Sequence, residues 1–140
     1  MRKRMLLLLM MVAFVVVLNA CGGGEAAVDT SPLAKTISAN GNAQNGGAIF
    51  ADKGCMACHN LSTEQLVGPG MAGVMTVSGP VYPNGVSYGG KLSNGADRTE
   101  ENIAAWIRSG GQGQIGSMSP QDMTDAEMAD LLAYLHTIQR

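Results

Sequence analysis

The sequence is short of the residues from which most protein sites are built. It holds three cysteines and two histidines in 140 residues. Cys55 and Cys58 stand together and Cys21 stands alone. No further cysteine is available for a four-ligand zinc site of thiolates, and the second histidine, His136, is near the far end of the chain. Charge is scarce as well. Asp, Glu, Lys and Arg make up only 14% of the chain and the acids outnumber the bases, so there is no basic face of the kind nucleic acid requires. Strand-type alternation does not persist anywhere, which removes the βαβ frame of a thioredoxin-like protein. The longest apolar run, Met5 to Leu18, has 14 residues, fewer than the roughly 20 that span a bilayer. Aromatic residues amount to 4%, whereas glycine is abundant at 19.

That apolar run follows Arg2, Lys3 and Arg4 and has the length of a signal-peptide core. It ends in Leu18-Asn19-Ala20-Cys21, which resembles the lipobox of bacterial lipoproteins. The resemblance implies residues 1–20 as a cleaved signal peptide and Cys21 as a lipidated N-terminus, its several acyl chains giving a stable membrane anchor. Removing Arg2, Lys3 and Arg4 leaves six basic residues against 11 acidic ones, a formal charge of −5. Residues 21–40 begin with Gly22-Gly23-Gly24 and lack apolar periodicity. They read as a flexible tether with a root-mean-square reach of roughly 25 Å, and residues 41–140 as the folded domain.

Within that domain the stretch Gly54-Cys55-Met56-Ala57-Cys58-His59 admits three chemistries. A redox dithiol needs the missing βαβ setting, and zinc lacks ligands. Covalent haem attachment is what C-x-x-C-H specifically signals. Cysteines three residues apart lie on one side of a helical turn, where both reach one porphyrin edge, and His59 beside them ligates iron.

Three helices can be placed around this motif. The first covers about 42–53, with Gly46, Ile49 and Phe50 on one face. The second covers about 100–108, with Thr99 as N-cap and two glutamates in the first turn. The third opens on the capping box Thr124-Asp125-Ala126-Glu127 and carries the stripe Met128, Leu131, Leu132, Leu135 and Ile138. Residues 61–96 read as a long loop rich in Gly, Pro, Ser and Asn. About 100 residues with so loose a core are marginal alone, and a haem would supply the missing apolar centre.

With these pieces in place the chain resembles the class I, monohaem c-type cytochromes over about residues 41–140. The matching residues are Cys55-x-x-Cys58-His59, Gly46 and Phe50 before it, Gly68-Pro69 after it, Met118-Ser119-Pro120, and Tyr134. The resemblance implies an all-α fold of three main helices and long loops packed around one covalently bound haem c. It implies crossing of the first and last helices at Gly46, Phe50 and Tyr134, and a Pro69 carbonyl that accepts from His59 and fixes its tautomer. The iron ligands implied are His59 and Met118. Met123, the runner-up for the sixth position, precedes the Thr124 cap as a hydrophobic staple would. His136 reads as a solvated histidine near a helix C-terminus. Trp106 is a candidate for the haem pocket with its indole N–H on a propionate; Tyr88 is left without a role.

A His- and Met-ligated iron has no vacant position, and such ligation raises the reduction potential. The function implied is electron transfer, not enzyme catalysis. The chain would be an exported, membrane-tethered carrier, or a fixed haem subunit, lying outside the cytoplasmic membrane or elsewhere in the cell envelope or periplasm. The implied partners are a quinol-oxidising complex as donor and a terminal oxidase or photosynthetic reaction centre as acceptor, with no nucleic acid. The alternative is a haem sensor or small peroxidase-like enzyme with an open sixth position. Between Leu61 and Ala96 the only charged residues are Glu64 and Lys91, so the frame of the haem is expected to be nearly neutral.

Overall fold

A computed structural model describes residues 28–140; the signal segment, the lipobox around Cys21 and the first part of the tether lie outside the described residues. Three helices form the frame: α1 Ala43–Asp52, α2 Glu100–Ser109 and α3 Asp125–Leu135. Each starts where a side chain can take up free amide groups. Asn42 caps α1 by accepting from Gln44 and Asn45, and Thr99 caps α2 by accepting from Asn102. Thr124 and Glu127 close the capping box of α3 reciprocally.

The helices α1 and α3 pack together through Gly46. A Cβ there would lie 2.0 Å from the Asp130 carbonyl oxygen and 2.7 Å from the Tyr134 Cβ, so glycine is required for the close approach. Phe50 and Tyr134 meet beside this crossing with ring centroids 5.7 Å apart. Met123 and Met128, on either side of the α3 cap, are both buried in the one core cluster, together with Ile103, Ile107, Leu131, Leu132 and Leu135.

Three features depart from the sequence reading. The fold is mostly helical but includes a short antiparallel hairpin, β1 Gly111–Gln112 paired with β2 Ser117–Met118. Strands of two residues have no room for alternation, so no pattern marks them. The second departure concerns the tether, because residues 29–40 do not form part of it. Ser78 and Val77 donate to the carbonyls of Asp29 and Ser31, Leu33 donates to the Met75 carbonyl, and Leu33 itself is buried. This segment is a strap along the loop 75–78.

His136 is the third. It is 9% exposed, and its Nε2 lies 2.7 Å from an oxygen of Glu100, which is fully buried. The other oxygen of Glu100 accepts the backbone N–H groups of Thr36, Ile37 and Ser38 at 2.7, 2.6 and 3.0 Å. Burial pushes this carboxyl up, but the bonds from Ser38, His136 and Ile37 outweigh burial and hold it at about 2. A carboxyl whose folded pKa lies below its ordinary 4.5 contributes stability that is complete above pH 4.5 and is lost as pH falls towards 2. The expected loss is on the order of 3 kcal/mol. Denaturant titrations across that range should show it in the native protein, and Glu100→Gln should flatten the profile while lowering stability at neutral pH.

Candidate haem site

The helices and the long loop enclose an apolar cavity of about 270 Å³, lined among others by Phe50, Leu92, Ile103, Ile107 and Leu131. Packed interiors have few voids larger than one water molecule. A hollow of this size in so small a domain is shaped for an apolar group.

The motif Cys55–His59 forms one wall. Gly54 ends the first helical region with φ of +72°, a left-handed turn open to glycine, and the chain then enters the short 3₁₀ turn Cys55–Ala57. Cys55, Cys58 and His59 all line the cavity. The two thiols are not bridged to each other. Burial pushes the Cys55 thiol up, the reverse of the lowered value a redox dithiol uses. Among the described residues no group of three or more His, Cys, Asp or Glu side chains is placed to hold a metal ion, so zinc is left without a ligand set.

His59 is held from behind. Its Nδ1 lies 2.9 Å from the carbonyl oxygen of Pro69. A carbonyl only accepts, so Nδ1 carries the proton and Nε2 is left as the electron-pair donor. The ring also rests on Gly68, where a Cβ would come within 2.4 Å of the imidazole Cε1. The dipeptide Gly68-Pro69 thus fixes both the plane and the tautomer of His59.

Met118 enters the cavity from the hairpin. Gly110 and Gly111 bring it there. A Cβ on Gly110, at φ of +60°, would lie 2.3 Å from the Met118 carbonyl oxygen. One on Gly111 would lie 2.7 Å from the Trp106 ring, with Gly111 paired to Met118 in the strand register. Met118 and Met71 are the methionines of the lining; Met123 is in the core and is absent from the lining. Trp106 also lines the cavity.

Among the lining residues not assigned from sequence, Tyr88 and Arg98 have identifiable roles. Tyr88 packs edge-on against Tyr82 with centroids 4.9 Å apart, and its hydroxyl accepts the Gln114 N–H at 2.7 Å. It therefore pins the turn of the Met118 hairpin. Arg98 is buried in the lining; its guanidinium donates to the carbonyls of Val74 and Thr76, and burial lowers its pKa. Among the described residues it has no carboxylate within salt-bridge distance. A buried cation without a counter-charge is costly. Its position beside the cavity suits a ligand that carries its own carboxylates. No local pattern signals this, since an isolated Arg before a helix cap reads as a surface residue.

The apolar hollow, paired thiols, tautomer-locked imidazole, thioether and unpaired buried guanidinium all fit a haem with its carboxylates. Comparison with known proteins agrees. The family model described as Cytochrome c matches residues 43–139. The chain is also similar to cytochrome c-552 of Hydrogenobacter thermophilus, with 35% identity over 93 residues, 65% of this chain and 79% of that protein.

Proposed function

The chain belongs to the cytochrome c family, which implies covalently bound haem c, and from that premise we propose that it is a lipid-anchored monohaem electron carrier of the cell envelope. The observation that carries the reading is the convergence of Cys55, Cys58, His59 and Met118 on one apolar cavity, with His59 Nδ1 bonded to Pro69. Cys55 and Cys58 would hold the cofactor through thioether bonds, His59 Nε2 and the Met118 sulfur would ligate its iron, and Trp106 and Arg98 are the polar lining residues that would pair with its carboxylates. When bound, haem c supplies a one-electron Fe(III)/Fe(II) couple. The residues of this chain then do the rest. His59 and Met118 would both be spent as iron ligands and leave no position for a substrate, while the apolar lining would keep water from the centre.

Cys21 carries the anchor on this reading, and the carrier or fixed subunit works outside the cytoplasmic membrane. Its donor is a quinol-oxidising complex and its acceptor a terminal oxidase or reaction centre. The surface near the cavity suits contact without strong charge. Cys58, Met56, Leu66 and Val67 are exposed there, and Lys91 is paired with Asp97. Steering by charge collapses as salt rises, whereas an apolar contact does not depend on it. Electron transfer to the physiological partner, followed by stopped flow, is expected to change about threefold or less between low and physiological ionic strength. A hundredfold drop would mean that charge dominates docking.

Arg98 gives a separate test. Arg98→Leu removes a cation from beside the cofactor and is expected to lower the reduction potential by some tens of millivolts, on the order of a partly screened charge pair. Arg98→Lys should recover part of that. A redox titration in which Leu, Lys and Arg give the same value would place Arg98 away from the haem carboxylates.

A further inference from the structure

Glu100 does unusual work for a residue in the first turn of a helix. One oxygen gathers three consecutive amides from a segment 62 to 64 residues away, and the other takes the Ser38 hydroxyl and the His136 ring. Ser38 and Leu33 are buried, and the strap is laced to the loop 75–78 as far as Asp29. The strap is therefore part of the folded body. A chain leading from Cys21 meets that body no later than Asp29, after at most eight residue steps. Fully extended, eight steps span at most about 29 Å, whereas twenty steps to Gly41 would span about 70 Å. A domain of this size is about 30–35 Å across.

We propose that Glu100 is the clasp of an N-terminal strap that limits the anchor lead to eight residues, so that the electron-transfer partner is a membrane-embedded protein whose redox surface lies within about 60 Å of the bilayer, the reach of the lead plus one domain diameter. This rests on the lipidation of Cys21 proposed above. The clasp matters because it sets the length of the tether. With the strap released, the lead becomes more than twice as long and the domain can serve partners that stand about 40 Å further from the membrane. With it closed, the Asp29 end of the domain stays within about 29 Å of the bilayer and the volume open to the haem is smaller. The effective concentration at a membrane partner rises accordingly, since the tether length sets it.

The test uses the full-length holoprotein in vesicles carrying a headgroup fluorophore whose emission the haem absorbs. Mass spectrometry of Cys21 and flotation with the vesicles come first. An unmodified thiol on protein left in solution overturns the anchor, and the height limit with it, while slow amide exchange at Thr36, Ile37 and Ser38 still reports separately on the clasp. With the anchor in place, two changes are compared. An eight-residue Gly/Ser insertion between Gly24 and Glu25 doubles the lead without touching the described body. Glu100→Ala releases the strap. Each is expected to cut energy transfer to the haem by roughly half or more, as the mean height grows with tether length, and only Glu100→Ala should lose slow exchange at Thr36 to Ser38. If Glu100→Ala does not keep the native haem spectrum, the insertion decides alone. Energy transfer unchanged by the insertion, or fast exchange at those three amides in the wild type, overturns the inference.

Discussion

Replacing both Cys55 and Cys58 with alanine is expected to abolish covalent haem and to leave a chain without a stable tertiary fold. Both residues line the cavity, and among the described residues they are the only cysteines. The size of the effect follows from the hollow that the cofactor fills. A cavity costs about 24 cal/mol per Å³, so about 270 Å³ left empty costs on the order of 6 kcal/mol. Whole domains are stable by only about 5–15 kcal/mol. The lining residues Phe50, Ile103, Ile107 and Leu131 also belong to the core, so no second core survives to hold the helices. A denaturing gel stained for haem and near-ultraviolet circular dichroism measure the two halves of this prediction. Haem that leaves the wild-type chain on denaturation would sink covalent attachment.

Met118→Ala is expected to keep covalent haem and lose the sixth ligand. Met118 is on β2, whose partner strand follows directly from Gly110, so truncating its side chain leaves the hairpin and its glycine pair in place. Thioether ligation raises the potential of a haem iron. Its removal should lower the potential on the order of 100 mV, a modest part of the roughly 0.8 V that axial ligands span. The weak far-red absorption of iron–methionine ligation should vanish, and carbon monoxide should bind the ferrous protein. If spectrum and potential stay as in the wild type, another side chain is the ligand. Met71 is then the one to test, because it shares the lining, whereas Met123 is held in the core.

Much of the haem site is legible in the sequence because its parts are close along the chain. Cys55, Cys58 and His59 occupy one turn, and Gly68-Pro69 follows within ten residues, so local geometry constrains them whatever the rest of the fold does. The helix starts at Asn42, Thr99 and Thr124 are local as well, since a cap bonds amides only two or three residues away. Gly46 and Tyr134 are far apart, but a glycine in an amphipathic helix already asks for a close neighbour.

The sequence by itself therefore determined the attachment motif, the three helices and the candidate ligands Met118 and His59. Only the tertiary structure decided what Glu100, His136, Arg98 and residues 29–40 do. Their partners lie far away in sequence: Glu100 is 62 to 64 residues from the amides it binds and 36 from His136, and Arg98 is 22 to 24 from its carbonyl acceptors. The strap also shows no periodicity, because much of what holds it is backbone N–H and C=O groups, which every residue carries, and not an apolar stripe. A polar side chain met alone in a sequence reads as solvated, since burial is a property of the elements that close over it. Glu100 and His136 become a buried pair only when α2, α3 and the strap converge on them.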